Sequence, residues 1–266
     1  MKWDQAAEKA VARVPFFVRK RVKARVEEEA RRSGALEVRL IHVQKCQKAY
    51  LADMEQEVKG YQVETCFGAS GCPNRAVADD ELAAALEAGL IRADLKSFLK
   101  ERVNGPLKMH HEFRVSMADC PNACSRPQIA DLGLIGASRP VLADPDQCHQ
   151  CGACVSACRE QAVTLPEKGA GPIIDRNKCL ACGQCHKACP TGALQEEARG
   201  YRVQVGGRLG RHPRLAQELP GLYSTRQVLE ILDRCLDIYK EHNREGERFG
   251  EVLSRTGYDG LAPRKK

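Results

Sequence analysis

Aromatic residues make up only 5% of this 266-residue chain, and it has a single tryptophan. No uncharged apolar run approaches the roughly 18 residues that cross a bilayer as a helix, so no membrane partner is expected. The opening Met1-Lys2-Trp3-Asp4 lacks the basic, apolar and small-residue regions of a signal peptide, which gives a cytoplasmic expectation. Disorder is excluded as well: 43% of residues are hydrophobic and 29% charged, enough for packed cores and, at this length, for about two domains. The net charge of +7 suits an anionic small substrate or an acidic redox partner. Charge alone does not separate these from nucleic acid. No other feature of the sequence points to nucleic acid, and none is expected.

What the chain has in excess is cysteine, with fourteen residues. In a reducing compartment such a number argues for metal rather than disulfides. Twelve fall into pattern: Cys66 and Cys72, Cys120 and Cys124, then Cys148, Cys151, Cys154, Cys158 and Cys179, Cys182, Cys185, Cys189. The last eight form one run, C-x2-C-x2-C-x3-C, repeated 31 residues on. Three thiolates on a tight loop hold three corners of an iron–sulfur cube, and the fourth corner comes from the other run. Cys148, Cys151, Cys154 and Cys189 are therefore assigned to one 4Fe–4S cluster, and Cys179, Cys182, Cys185 and Cys158 to another. Gly152 and Gly183 suit the tight loops. Structural zinc is the competing reading, since such spacings also bind Zn²⁺. Cys66-x5-Cys72 and Cys120-x3-Cys124 supply four more thiolates, enough for a third cube. Cys235 reads as core filling, and Cys46 has no evident partner.

Around these cysteines the periodicities give a coarse outline. Ala6, Ala10, Val14 and then Val18, Val22, Val26, Ala30 recur at helical spacing, with Pro15 between two helices and Ser33-Gly34 ending the second. Seven basic residues (Lys9, Arg13, Arg19, Lys20, Arg21, Lys23, Arg25) lie between Glu8 and Glu27 without an acid among them, as a solvated face or a docking patch. Strands are expected at Leu36–Leu40, Tyr61–Glu64, Phe113–Met117, Leu132–Gly136 and Tyr201–Val205, and His110-His111 are also read as lying on a strand, where they alternate sides. Helices are expected over about 43–58, after Asp79-Asp80, around Leu95–Leu99 and from Ser224 through Tyr239, with one or two turns at 125–131. Gly206-Gly207-Arg208-Leu209-Gly210 lacks dinucleotide-fingerprint spacing and reads as a tight turn or a close backbone approach.

The duplicated run resembles a bacterial two-cluster ferredoxin along its whole length, with Arg159 where the usual Pro follows the first run. Cys120-Pro121-Asn122-Ala123-Cys124, continuing Ser-Arg126-Pro to Gly136, resembles the siroheme-binding signature of the nitrite and sulfite reductase family. Gly200 to Leu215 resembles the strand and loop that follow it. The likeness covers about residues 58–255. It implies that Cys66, Cys72, Cys120 and Cys124 hold a 4Fe–4S cluster, and that Cys124 also bridges to the siroheme iron. Trp3, Arg13-Val-Pro-Phe-Phe-Val-Arg19 and Arg25 to Gly34 resemble a small helical module of a light-independent protochlorophyllide reductase subunit.

The resemblances imply an α+β fold: one siroheme-reductase-like half with a mixed or antiparallel sheet, interrupted by a ferredoxin-like insertion and preceded by a helical module. The expected segments are 1–57, 58–142, 143–198 (the insertion) and 199–266. The implied cofactors are siroheme and three 4Fe–4S clusters, and the implied activity is the six-electron reduction of sulfite to sulfide. Nitrite reduction, a non-catalytic electron carrier without siroheme, and redox work on a tetrapyrrole are the alternatives. A polycarboxylate macrocycle and an oxyanion need cations. Arg114, Arg126, Lys108 and His110 are therefore taken as substrate-handling candidates, and Asn122, Arg75, Arg208, Arg211 and Arg214 as siroheme-binding ones. Reduced ferredoxin or another low-potential donor is the expected electron source. Larger relatives have two such halves, so a homo-oligomer or a second subunit is expected to complete the pocket.

Overall fold

The computed structural model describes residues 1–167 and 171–262. The chain separates into two compact units, Met1–Lys59 with Val103–His110, and Gly60–Arg102 with His111–Lys266.

In the first unit, β1 (Lys2–Trp3), α1 (Gln5–Ala12), α2 (Phe16–Arg32), β2 (Glu37–Val38) and α3 (Leu40–Glu57) follow in order. Asp4 accepts a hydrogen bond from the Ala7 N–H at 2.6 Å and so starts α1. Pro15 has no N–H to donate and sits at the N-cap of α2. Ala7, Val26, Ala30 and Val38 are fully buried, packed against Trp3, Val22, Val43 and Cys46. Cys46 is thus a half-buried wall of this small core. The strand expected at Leu36–Leu40 is only two residues long, because Leu40 already begins α3, where the buried His42 ring accepts from the Arg39 N–H at 2.9 Å.

The second unit is built on β3 (Tyr61–Thr65), α4 (Leu82–Arg92), α5 (Leu95–Arg102), β4 (Phe113–Ala118), β5 (Leu132–Leu142), α6 (Ala153–Ala157), β6 (Val163–Thr164), β7 (Ile173–Ile174), α7 (Gln184–Lys187), β8 (Leu194–Val205), β9 (Gln217–Glu218), α8 (Thr225–His242) and α9 (Phe249–Thr256). Its five-stranded sheet has the order β3-β4-β5-β8-β9. The first three strands are parallel, and the other pairs are antiparallel. Alternation at Phe113 and Val115 buries one face, against which Phe113, Tyr239 and Phe249 stack at 5.3–5.9 Å between ring centres. Helix α8 buries Val228, Leu232, Cys235, Leu236 and Tyr239, so Cys235 is core filling as its spacing predicts. Ser224 and Gln227 cap that helix reciprocally.

Two departures from the sequence expectations concern the sheet. His110 and His111 stand in a one-turn 3₁₀ helix, Met109–His111, not on a strand. Strand β8 begins at Leu194, inside the cysteine-rich stretch. It pairs with β5 from Leu132↔Val205 to Leu142↔Leu194, with a register shift at Arg139/Pro140. The charged Gln195–Arg199 segment hides a strand whose outer face is polar. Gly206 and Gly207 do make a turn with a close approach, but to the carbonyls of Asp131 and Ala130, each 2.8 Å from the N–H it accepts. No helix among the described residues is long and apolar enough to cross a membrane.

Candidate metal centres

Cys66 directly follows β3 and Cys120 follows β4 by two residues. These strands are parallel neighbours in register, Thr65 opposite Met117, so their C-terminal ends open on one edge of the sheet. That edge is where open α/β sheets place ligands. The Cys66 N–H continues the ladder to the Met117 carbonyl at 2.9 Å. Its sulfur accepts from the Gly68 and Asp119 N–H groups, both at 3.3 Å. Parallel strands need a crossover, and the one from β4 to β5 carries only the 3₁₀ turn Pro127–Ile129. The remainder is free to display Cys120 to Arg126. Ser116 and Ser125 stitch this loop to β4, through the Ser116 hydroxyl to the Ser125 carbonyl at 2.7 Å and the Ser125 hydroxyl to the Met117 carbonyl at 2.8 Å. Asn122 Nδ2 donates to the Cys124 sulfur at 2.9 Å, and Cys124 is exposed.

In the repeated run, Gly152 and Gly183 take left-handed φ values of 78° and 76° just before α6 and α7. Glycine adopts this conformation without strain, which lets the chain turn sharply within the three-cysteine loop. Cys154, Cys185, Val163 and Leu194 form a small core with Cys158 and Cys189 against it. Cys148, Cys151, Cys154 and Cys189 line one cavity together with Pro190 and Leu194. Cys158, Cys179, Cys182 and Cys185 line a second, and so do Cys66, Cys72, Cys120 and Cys124. This shared cavity has a volume of about 560 Å³. The structure therefore brings together each quartet that the spacing paired, and sets two of them around one space. Among the described residues, no group of three or more His, Cys, Asp or Glu side chains is drawn together to hold a single metal ion.

Burial pushes the Cys120 thiol up, and the facing Cys72, Cys124 and Cys66 add to it. Burial likewise raises Cys154, and raises Cys185 to about 11, with Cys179, Cys182 and Cys158 contributing to the latter. Cys189 moves the other way. Burial raises it, but the Leu194 N–H, the Thr191 hydroxyl and N–H and the Gly192 N–H together outweigh that. Charging Cys120, Cys154 and Cys185 is thus unfavourable without a cation, and metal uptake at these three thiols would release protons.

The candidate cations divide into three sets. Arg114 and Arg126 line a pocket of about 50 Å³ with Glu64, Ser116, Ser125 and Leu209, and Arg114 Nε is buried without a hydrogen-bond partner among the described residues. Arg75 lines the large cavity but is committed to Asp119, 2.6 Å away, and to Asp80. Arg208 is held by Glu251 at 2.5 Å and by the His212 carbonyl at 2.7 Å. Arg214 bonds the Gly206 and Gly250 carbonyls, Ser254 and Tyr258. Arg211 is exposed in the turn between them. Lys108 and His110 fall in the first unit.

The sequence reading missed three groups. Buried Asp119 flanks Cys120 and binds Arg75, and burial pushes its carboxyl up against the pull of that arginine. Lys187, from the second run, donates to the Arg75 carbonyl at 2.7 Å. Buried Ser138 on β5 joins His186 at 2.7 Å and Glu196 at 2.5 Å, tying the second run to the sheet. An acid next to a cysteine was the only available signal for the first, and the other two depend on tertiary register.

Three comparisons bear on this arrangement. Residues 60–263 match the family model described as nitrite and sulphite reductase 4Fe-4S domain, and residues 3–46 match that of the proto-chlorophyllide reductase 57 kD subunit. The coenzyme F420-dependent sulfite reductase of Methanocaldococcus jannaschii is 31% identical over 195 residues, which is 73% of this chain and 28% of that protein. The C subunit of the anaerobic sulfite reductase of Salmonella typhimurium is 36% identical over 154 residues, 56% of this chain and 45% of that protein. This chain thus spans less than half the length of each of these relatives. The crystal structure of dissimilatory sulfite reductase I superposes with a TM-score of 0.51 at 18% identity, covering 77% of this chain and 55% of that one, a likeness of fold. With a family model matching three-quarters of its length, on a mixed sheet that gathers cysteines at its parallel edge, the chain belongs to the nitrite and sulfite reductase 4Fe–4S domain family.

Proposed function

We propose that this chain is a siroheme-dependent sulfite reductase component whose electrons arrive through three 4Fe–4S clusters. The observation that carries the proposal is the 560 Å³ cavity lined by two cysteine quartets from separate stretches of the chain. In this reading Cys66, Cys72, Cys120 and Cys124 hold the cluster beside siroheme. Cys158, Cys179, Cys182 and Cys185 hold a second cluster, and Cys148, Cys151, Cys154 and Cys189 a third. The two run-derived clusters form a ferredoxin-like insertion over 143–198, between the reductase segments 58–142 and 199–266, after a helical module over residues 1–57. Sulfite is preferred over nitrite because both relatives above are named sulfite reductases.

The residues present fit siroheme. An orphaned, buried Arg114 Nε beside Arg126 calls for an anionic acceptor, and the group carries carboxylates. Loop 120–126 borders both spaces, since Cys120, Pro121, Asn122 and Cys124 line the cavity and Ser125 and Arg126 the pocket. Siroheme would supply the iron that holds sulfite, and the clusters would relay to it, one at a time, the six electrons drawn from an external low-potential donor such as reduced ferredoxin. The chain's own role is to hold and orient. Arg114 and Arg126 bind the anionic groups, and Asn122 Nδ2 fixes the Cys124 sulfur on the exposed side of its quartet. Arg75 and Asp119 brace the loops that carry Cys72 and Cys120, while Arg208 and Arg214 brace the glycine turn against α9.

Anaerobically purified chain is expected to contain about thirteen iron atoms, twelve in clusters and one in siroheme. Acid–acetone should extract an isobacteriochlorin pigment, and reduced viologen should drive sulfide formation from sulfite. Cluster absorption with no extractable pigment would leave an electron carrier, the principal alternative.

A further inference from the structure

The elbow between α1 and α2 is stiff and unusually apolar at its tip. Arg19 folds back across it, with Nη2 donating to the Ala12 carbonyl at 2.8 Å and Nε to the Val14 carbonyl at 3.1 Å. These bonds satisfy carbonyls left open where α1 ends, and they fix the chain entering α2. Phe16 and Phe17 stand on this elbow at 83% and 74% exposure, their rings perpendicular and 5.7 Å apart. Neither serves the core of this unit, which is made by Ala7, Val26, Ala30 and Val38. Arg13, Lys20 and Arg21 are exposed beside them, without an ion-pair partner among the described residues. No acid occurs between Glu8 and Glu27.

We infer that this elbow is the docking surface for a small acidic electron-transfer protein. Exposed aromatic rings on a hydrogen-bonded elbow, framed by charge, have the composition of an interface hot spot with its polar rim. The cations choose the partner's sign, and they steer its approach. A second copy of this chain, carrying the same net charge of +7 and the same cationic patch, is repelled from this face. A bilayer is a poor occupant, because the apolar stripe of α2 at Val26 and Ala30 is turned into the core. That the partner is an electron donor rests on the function proposed above. That it is acidic rests on the charge of the elbow.

The lone tryptophan, Trp3, lies in the same unit with Lys23 over its ring, and serves as a built-in reporter. Titration of the cluster-loaded chain with an acidic bacterial two-cluster ferredoxin is expected to quench Trp3 and to weaken steeply with salt. The double variant F16S/F17S should raise the dissociation constant about tenfold. The triple variant R13E/K20E/R21E should slow association and abolish the salt dependence. Both change exposed side chains, so folding is checked by circular dichroism. Binding unchanged in both variants overturns the inference, as does quenching by phosphatidylglycerol vesicles but not by ferredoxin. Iron content separates the two claims. Missing iron with intact, Phe-dependent binding sinks the cluster assignment and leaves the surface standing; full iron with Phe-independent binding does the reverse.

Discussion

The two kinds of cysteine site in this chain are assembled by different means. The duplicated run is encoded locally: spacing, with a glycine at φ near 77° before each short helix, aims three sulfurs inward within a dozen residues. The pairs Cys66/Cys72 and Cys120/Cys124 are encoded by topology: they meet because β3 and β4 lie parallel and in register, and bonds from the Asp119 N–H to the Cys66 sulfur and from Arg75 to the Asp119 carboxylate then join the two stretches. A local site survives damage to the sheet better than a topological one. In this chain one site of each kind lines the same cavity.

The largest expected effect tests that contrast directly. Replacing Cys154 or Cys120 by serine should each remove one cluster, lowering iron by about a third. Hydrogen exchange should then differ. C154S is expected to leave the amides of β3 and β4 protected, whereas C120S exposes the Cys66–Cys72 turn and the strand ends. Equal loosening of the sheet in both variants would abolish the distinction.

The same contrast explains what could be read in advance. Three cysteines of each quartet of the repeated run follow from counting, because near neighbours set their geometry, while the fourth comes from the other run. Helix α8 and strands β3 and β4 were legible for the same reason: Val228 to Tyr239 and Phe113 to Met117 carry clean periods of their own. For the second cysteine constellation spacing offered four thiolates in two pairs, and the resemblance added that they serve one cluster; register between strands 50 residues apart leaves no mark on the sequence. Arg75 and Arg208 illustrate the limit for cations. Sequence offers an arginine near a motif, but the partners that engage it, Asp119 and Glu251, come from 44 and 43 residues away. Arg114 differs because its Nε has no hydrogen-bond partner among the described residues.

A smaller effect is expected at the brace between the two kinds of site. Arg75 is largely buried, Asp119 more so, and the Arg75 backbone carbonyl accepts from Lys187 of the second run. Removing one member of such a pair leaves a buried charge alone, at a cost of about 3 kcal/mol. R75M is therefore expected to be strongly destabilising in urea. The double variant R75M/D119N should recover some of the loss, because the stranded carboxylate is gone. If the two changes simply add, Arg75 and Asp119 are not coupled, and the brace is not what holds the cysteine pairs together.

The smallest effect concerns the clamp of Ser138, His186 and Glu196, which fastens the locally encoded site to the sheet. Burial raises the Glu196 carboxyl, but the Ser138 hydroxyl and the Arg199 guanidinium outweigh it, so its pKa lies below the ordinary carboxylate value. A depressed folded-state pKa stabilises the fold fully above the unfolded value, and that contribution disappears as pH falls through the folded value. Losing the Ser138 hydroxyl costs about 1 kcal/mol at neutral pH. S138A should therefore lower the melting temperature at pH 7, and the deficit should shrink as the solution is acidified below the ordinary carboxylate range. E196Q should show the same flattened acid limb while leaving the iron content unchanged. A deficit in S138A that stays constant across that range would mean that the hydroxyl stabilises the fold through His186 alone and that the carboxylate has no share in the clamp.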